Sequence, residues 1–222
     1  MIEQTIEASR IALAPEYGVL AGALRAWLEA RYAAGWPGRL VVGVAGESGS
    51  GKSVTAVALA RALATSGRPA GVLHQDDYFL RPPRANHEHR ERDLRHVGPH
   101  EVDLAAIAGH VADFRAGRDG VEAPLVDYPS DSFRIQRHDF APLAALVVEG
   151  TYVLRLDGLD VRIFLDATHE DTRDRRRARN RDIDSPFVEQ VLRIEHEVIA
   201  PQAALAHVVV GRDFRIRGDA AR

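Results

Sequence analysis

The chain contains no cysteine among its 222 residues, and it has no long hydrophobic run. The missing cysteine excludes disulfide bonds, thiolate catalysis and cysteine-ligated zinc, and it agrees with a reducing compartment. No apolar stretch approaches the roughly 18 residues that a membrane-spanning helix needs. The first residues, MIEQTIEASR, carry acidic side chains where a signal peptide would carry basic ones. We therefore expect a cytoplasmic protein without a membrane span.

Lysine is almost absent, and positive charge does not exceed negative charge. The chain has 29 basic and 32 acidic residues, and its formal net charge is -3. This balance provides no global positive field for a nucleic acid or for an anionic membrane surface. Lys52 is the only lysine among the basic residues, and the others are arginines. An anion site must therefore be local, and Lys52 marks a candidate position for it.

The hydrophobic pattern predicts alternating strands and helices. Residues 40–45 form a continuous apolar run, which is typical of a strand buried on both faces of a parallel sheet, and further strand patterns occur at residues 70–74, 143–149, 161–166 and 207–210. Apolar residues at helical spacing occur at residues 15–32, 53–65, 103–115 and 186–199. This order predicts an α/β fold whose sheet is covered by helices on both faces. No linker or repeat is present, so we expect one domain with an N-terminal helical extension over residues 1–38.

Residues 46–53, GESGSGKS, match the pattern G-x-x-x-x-G-K-[ST] between a predicted strand and a predicted helix. Backbone N–H groups of such a loop surround phosphate oxygens, and the positive end of the helix adds to the attraction. Lys52 would reach the β- and γ-phosphates, and the Ser53 hydroxyl would ligate Mg²⁺. A planar guanidinium is too wide for this cradle, which explains a lysine here. The predicted nucleotide-binding residues are Gly46, Glu47, Ser48, Gly49, Ser50, Gly51, Lys52, Ser53 and Val54.

Acidic side chains follow two of the predicted strands, in HQDDYF at residues 74–79 and at Glu149. Ligands of open α/β sheets bind at the carboxyl ends of strands, so these acids would face the phosphates. Asp76 is the first choice for a base that deprotonates an acceptor hydroxyl or for a metal ligand, and Asp77 is the reserve. Glu149 and Ser53 complete the predicted metal site. The alternatives are aspartates that cap a turn and a strand-end charge that reaches solvent.

Residues 173–181 contain six arginines in nine positions. On a helix, Arg173, Arg177 and Arg181 fall on one face. Such a face closes over phosphates, stabilises charge during transfer and excludes water. We therefore predict a lid over residues 169–185 in which Arg173 and Arg177, with Lys52 and Asp76, are catalytic. The alternative is a solvated helix with salt bridges.

Histidines and arginines crowd residues 81–102, which we interpret as a surface segment. The ten histidines of the chain are scattered, and no pair has convincing ligand spacing with a third partner. His87 and His89 are expected at the surface rather than on a metal ion. The sequence therefore predicts no histidine metal site.

Together these features resemble the uridine kinase and phosphoribulokinase family of P-loop kinases. The resemblance spans residues 40–210 and rests on GESGSGKS, HQDDYF, APLVDY at 123–128, VVEGTY at 147–152 and DTRDRRRARNRD at 171–182. It implies a P-loop NTPase fold with a parallel sheet of about five strands, flanking helices and a lid helix. It further implies ATP and Mg²⁺ as cofactors, Asp76 as base or metal carboxylate, Glu149 near Mg²⁺, and an acceptor-binding region over residues 81–138.

The acceptor side departs from uridine and cytidine kinases. Val97 or Gly98 stands where those kinases carry an aspartate for the ribose hydroxyls, and Val126 and Asp131 stand where they carry a tyrosine and a histidine. We expect a phosphotransferase that moves the γ-phosphoryl of MgATP to a hydroxyl of a small metabolite, uridine kinase-like but altered in its pyrimidine pocket. The alternatives are a kinase of a sugar phosphate, pantothenate or nicotinamide riboside, and a non-catalytic ATP-binding regulatory protein. The expected partner is a small-molecule acceptor, with no nucleic acid and no membrane, and a homo-oligomer is possible.

Overall fold

The computed structural model of the chain describes residues 14–173 and 185–217. The helices within these ranges are α1 (Pro15–Arg31), α2 (Lys52–Thr65), α3 (Pro83–Arg92), α4 (Leu104–Ala116) and α5 (Pro186–Ile199). The strands are β1 (Leu40–Gly46), β2 (Ala70–His74), β3 (Val121–Asp127), β4 (Ser132–His138), β5 (Ala145–Glu149), β6 (Val161–Asp166), β7 (Val208–Gly211) and β8 (Ile216–Arg217). No helix in the described ranges is both long enough and apolar enough to cross a membrane.

The main sheet has the strand order β2-β5-β1-β6-β7-β8. The first five strands of this order are parallel, and β8 pairs antiparallel with β7 at the edge. The predicted parallel sheet of about five strands is therefore confirmed, and β8 is an addition to it. Parallel strands end at one edge, so the segments that follow β1, β2, β5 and β6 meet there.

Helices cover both faces of this sheet. Because β1 is buried on both faces, its sequence is apolar throughout. Val42 and Val44 face a cluster that includes α1 and α2, whereas Val41 and Ala45 face a cluster that includes α4. Every residue of β1 is buried. A strand in this position needs side chains that pack on both sides, which gives a continuous apolar run instead of an alternating one.

Helix α1 belongs to the core of the molecule. Leu20, Leu24 and Leu28 are at most 1% exposed and pack in the same cluster as the central strands. Tyr17 packs edge-to-face against Phe214, with ring centroids 5.0 Å apart. The helical segment predicted near the N-terminus is thus a layer that the sheet requires in order to bury one face.

The region between β2 and β5 contains more regular structure than its sequence predicts. Residues 81–102, interpreted above as a surface segment, contain α3 and two 3₁₀ turns at Leu94–His96 and Pro99–Glu101. Strands β3 and β4 form a separate antiparallel hairpin, in which Val121 pairs with His138. The predicted acceptor-binding region thus consists of helix α3, the two turns, helix α4 and this hairpin.

Candidate active site

The loop between β1 and α2 has the backbone shape of a phosphate cradle. Gly49 and Gly51 have positive φ angles of 78° and 96°, which glycine adopts without strain. A Cβ atom on Gly51 would lie 2.5 Å from the Tyr17 hydroxyl oxygen, so glycine also lets α1 pack against the loop. Helix α2 begins at Lys52, and the N–H groups of a first helical turn have no partners within their helix. The loop therefore presents backbone donors at the positive end of a helix dipole.

Side chains of the loop point in different directions. Lys52 Nζ donates a hydrogen bond to the carbonyl oxygen of Glu47 at 3.0 Å, and the Ser50 N–H donates to the same oxygen at 3.1 Å. Val54 packs toward Tyr17 of α1, so only its backbone is available to a phosphate. The carboxylate of Glu47 contacts two histidines, His169 and His196.

Glu149 lies at the end of β5 beside the first turn of α2. Its side chain is buried, and it accepts hydrogen bonds from His74 and from the Ser53 hydroxyl. Burial opposes the negative charge, but the two hydrogen bonds and the positive charges of His74 and Lys52 outweigh it and lower the pKa of Glu149. The structure thus brings together Lys52, Ser53 and Glu149, which the sequence analysis named separately.

His74 is a site residue that sequence reasoning missed. It ends β2 directly opposite Glu149 in the parallel register, and its Nδ1 lies 2.7 Å from Glu149 Oε1. Burial alone would lower its pKa, but Glu149, Asp77 and Asp76 raise it to about 9. The contact with Glu149 therefore favours the protonated form of His74. The sequence feature that could have indicated His74 as a site residue is its position at the end of a predicted strand, shortly before Asp76 and Asp77.

The adjacent residues Asp76 and Asp77 have different surroundings. Asp77 is 5% exposed, and its Oδ1 accepts a hydrogen bond from the Val126 N–H of β3 at 2.9 Å. Asp76 is exposed, and its charge contributes to the raised pKa of His74. The structure thus ties Asp77 to the hairpin and leaves the Asp76 carboxylate on the accessible side.

Gln75 and Gly150 hold the ends of β2 and β5 together. Gln75 is fully buried, its amide nitrogen donates to Thr151 Oγ1 at 2.9 Å, and its Oε1 accepts from the Tyr152 N–H at 2.8 Å. A Cβ atom on Gly150 would lie 2.3 Å from Gln75 Cβ. A glycine is therefore required for this close approach, which sets the spacing of Asp76 and Glu149.

The arginine segment is described only at its beginning. Arg173 Nη2 lies 3.4 Å from Glu189 Oε2 of α5, and the preceding Thr172 donates from its hydroxyl to the Ser48 carbonyl at 2.9 Å. The base of the predicted lid therefore contacts the phosphate loop. Arg177 and Arg181 lie outside the described residues, as does most of the predicted lid helix.

Arg90 of α3 is a second residue that the sequence analysis did not single out. Its guanidinium lies 2.6 Å from Glu101 Oε2 and 3.0 Å from Glu195 Oε1, and both carboxylates are largely buried. Burial raises the pKa of Glu195, although Arg90 and Lys52 act in the opposite direction. This network joins helix α3, in the predicted acceptor-binding region, to α5, and Glu195 extends it toward Lys52.

The positions that depart from uridine and cytidine kinases serve the internal structure. Val97 is 5% exposed, and the Gly98 N–H donates to Glu101 Oε1 at 2.7 Å. Asp131 accepts from the Arg84 N–H at 2.8 Å, and Val126 binds Asp77 through its backbone as described above. These residues stabilise the turn and the hairpin of the predicted acceptor-binding region.

Fold and loop geometry define an α/β protein of the P-loop class, with a nucleotide cradle at the carboxyl edge of a parallel sheet. The family model described as the phosphoribulokinase / uridine kinase family matches residues 41–213. The chain belongs to this family of kinases.

Individual relatives differ in what their names say they phosphorylate. The bifunctional alpha-galactosidase/sucrose kinase AgaSK of Mediterraneibacter gnavus is 31% identical over 189 residues, which cover 79% of this chain and 20% of that protein. The chain therefore spans about a fifth of the length of this relative. A uridine kinase of Leuconostoc citreum is 28% identical over 188 residues, covering 77% of this chain and 86% of the relative.

Among solved structures, one described as a possible uridine kinase from Bacillus stearothermophilus superposes with a TM-score of 0.60. It is 21% identical, and the match covers 84% of this chain and 98% of that chain. At this identity the likeness supports the fold alone.

Proposed function

We propose that the protein is an ATP-dependent phosphotransferase that moves the γ-phosphoryl group of MgATP to a hydroxyl of a small, uncharged metabolite. The observation that carries this proposal is the grouping of Lys52, Ser53 and Glu149 at one edge of the sheet, with the exposed Asp76 at the neighbouring strand end. Phosphoryl transfer depends on positioning and charge stabilisation, and this grouping supplies groups for both.

The residues around the cradle fit a magnesium nucleotide. Mg²⁺ prefers oxygen ligands, and the Ser53 hydroxyl with the carboxylates of Glu149 and Asp76 offers oxygens alone. The hydrogen bonds from His74 and Ser53 and the charges of His74 and Lys52 lower the pKa of Glu149 despite its burial, which favours the ionised carboxylate. When bound, Mg²⁺ neutralises phosphate charge during transfer. Lys52 would contact the β- and γ-phosphates, and the loop N–H groups of residues 46–54 would bind phosphate oxygens.

Asp76 is proposed as the base. The acceptor hydroxyl oxygen attacks the γ-phosphorus, the bond between the γ-phosphorus and the β,γ-bridging oxygen breaks, and ADP leaves with the electron pair of that bond. The proton of the hydroxyl passes to the Asp76 carboxylate. Arg173 and Arg177 are proposed to stabilise the transferring charge from the lid, which agrees with the contact between Thr172 and Ser48 at the base of that segment.

Internal charge pairing favours an acceptor without a phosphate group. Arg90, the arginine that links α3 to α5, already contacts two carboxylates, and Arg95 is paired with Asp93 at 2.6 Å. A phosphorylated acceptor that bound to Arg90 or Arg95 would have to compete with these carboxylates, whereas a sugar or a nucleoside would not. The likeness to the sucrose kinase relative agrees with a carbohydrate hydroxyl as the target.

An acceptor screen with labelled ATP tests the proposal. The panel should contain sucrose, fructose, uridine and cytidine as uncharged acceptors, with nicotinamide riboside, pantothenate and a sugar phosphate as charged ones. We expect acceptor-dependent ADP release with a member of the first group, and Lys52→Ala should reduce it at least about 100-fold. ATP binding without acceptor-dependent ADP release would instead support a regulatory nucleotide-binding protein.

Two conservative substitutions at the aspartate pair separate the base from its neighbour. Asp76→Asn removes the basic group, so we expect kcat to fall by about 10²–10⁴-fold. Asp77→Asn keeps an oxygen that accepts the Val126 N–H, so most activity should remain. Loss of activity in Asp77→Asn together with full activity in Asp76→Asn would reverse the assignment.

A further inference from the structure

Glu47 forms a three-residue cluster with His169 and His196. Its Oε2 lies 2.9 Å from His169 Nδ1, and its Oε1 lies 2.6 Å from His196 Nδ1. The backbone N–H of His169 also donates a hydrogen bond to Glu47 Oε2, at 2.7 Å. The three candidate ligand atoms all lie within 4.8 Å of one another. The sequence analysis predicted no such group, because the three residues are far apart in the chain.

Strand order brings the cluster together. β1 and β6 are parallel neighbours, with Gly46 paired to Leu165, so the segments that leave their carboxyl ends start side by side. Glu47 directly follows β1, and His169 follows β6 by three residues. The last turns of α5 place His196 on the other carboxylate oxygen. The cluster thus joins the phosphate loop, the base of the predicted lid and α5.

The donor set is that of a transition-metal site. The Glu47 side chain is 6% exposed and that of His169 is 12% exposed, whereas that of His196 is 41% exposed and gives access from solvent. Two imidazole nitrogens and one carboxylate are typical ligands of Zn²⁺, and a fourth position stays open in such sites. Mg²⁺ prefers oxygen ligands, so imidazoles select against it.

The spacing is compatible with insertion of an ion. Zinc ligands at about 2.1 Å in a tetrahedral site lie roughly 3.4 Å apart. The two carboxylate-to-imidazole distances are shorter, 2.6 and 2.9 Å, because they are hydrogen bonds. Lengthening these two contacts by roughly 0.5 and 0.8 Å would reach the tetrahedral spacing, and the ion would replace the shared protons, as metal binding at histidine does.

We propose that Glu47, His169 and His196 bind a divalent transition-metal ion of the zinc type, separate from the magnesium of the nucleotide. The bound ion holds the phosphate loop against the lid base and α5. Because Glu47 is the second residue of the GESGSGKS motif, the ion restricts the loop directly. The proposal does not depend on which acceptor the kinase uses, or on catalysis at all.

Zinc binding by the purified chain, measured by titration calorimetry in excess Mg²⁺, is the direct test. We expect about one Zn²⁺ per chain, with affinity reduced about 100-fold or more in His169→Ala and in His196→Ala. His89→Ala is the matched control. His89 and His96 are stacked with ring centroids 3.6 Å apart, so they are the alternative histidine pair to which zinc could bind. This control should bind zinc like the unmodified chain.

Cobalt spectroscopy gives an independent measurement. Co²⁺ in a site of low coordination number absorbs visible light strongly, so the unmodified chain should show this band and His196→Ala should lose it. The His196 side chain is 41% exposed, so its substitution should leave the far-ultraviolet circular dichroism unchanged and the chain folded. Absence of zinc binding in the unmodified chain, or binding that His89→Ala abolishes and His196→Ala retains, would overturn the proposal.

Discussion

Asp76 and Asp77 show how strongly the surroundings of one residue decide its chemistry. Both follow β2. From the sequence alone, Asp76 is the first choice for the base or metal ligand and Asp77 is the reserve. Asp77 is buried and holds the Val126 N–H of the hairpin, whereas Asp76 is exposed. A carboxylate that is committed to a structural hydrogen bond is a poor proton acceptor. The contact that separates them comes from a hairpin about 50 residues later, which no local pattern encodes.

His138 supports a prediction about how the stability of the protein depends on pH. It stacks on Phe140, and within the described part of the chain its Nε2 is buried without a hydrogen-bond partner. Burial and the nearby charges of His110 and His74 lower its pKa to about 4, against the effect of Asp139. A lowered pKa in the folded state means that the contribution to stability is present above pH 6.5 and is lost as the pH falls to 4.

We therefore expect the free energy of unfolding to decrease on acidification from pH 6.5 to pH 4 by at most about 3 kcal/mol from this residue. His138→Phe keeps an aromatic ring beside Phe140 and cannot titrate, so this part of the decrease should disappear. Urea denaturation at several pH values measures the difference. His100→Phe, at an exposed histidine, should keep the acid dependence of the unmodified chain, and an unchanged dependence in His138→Phe would contradict the pKa assignment.

The helices and strands differ in how well their sequences predict them. The buried parallel strands are predictable because burial on both faces leaves a mainly apolar run, and the amphipathic helices because burial of one stripe leaves apolar residues at helical spacing. Helix α3, PRANHEHRER, has no such pattern, since it is held by Arg90 and Asn86 on the buried Glu101. Strand β3 contains Pro124, which argues against a central strand. The proline is tolerated because, within the described residues, β3 pairs on one side with β4 and has no strand on its other side.

The contact between the ends of β2 and β5 supports a prediction at this scale. In Gly150→Ala the new methyl group would overlap Gln75, whose amide bonds Thr151 and Tyr152. We expect a loss of about 1–3 kcal/mol in unfolding free energy. The two strand ends carry Asp76 and Glu149, so turnover should fall by about 10–100-fold.

Gly109→Ala is the control for this substitution, because a Cβ atom there would meet nothing within 4 Å. In the interior of α4 an alanine should stabilise the protein by about 0.5–1 kcal/mol relative to glycine. Urea denaturation and steady-state kinetics on both variants provide the comparison. If Gly150→Ala matched the unmodified chain in both measurements, the close approach would not position the site.

For the whole molecule, the order of the strands explains the composition of the site. β1 lies between β5 and β6, and β5 lies next to β2, so the loop after β1 has Glu149 and Asp76 on one side and His169 on the other. The sequence predicted the phosphate loop and the carboxylates because each follows a recognisable strand. It did not predict the partners His74, His169, His196 and Arg90, because tertiary packing alone brings them to those acids.

The role of α1 gives a prediction about the molecule as a unit. Leu24 is fully buried between α1 and the sheet, while Tyr17 of the same helix touches Gly51 of the phosphate loop. Leu24→Ala leaves a cavity in the shared core, so we expect a loss of about 2–5 kcal/mol in unfolding free energy.

Val19→Ala is the matched substitution on the same helix, because Val19 is 75% exposed and its replacement should change stability by at most about 0.5 kcal/mol. Chemical denaturation of both variants distinguishes a core layer from an appended helix. Under the core arrangement, Leu24→Ala also unfolds in a single transition at lower denaturant, because the helix and the sheet share one hydrophobic cluster. A separate early transition for α1, with the rest of the chain unaffected, would show instead that α1 is an extension that the domain does not need.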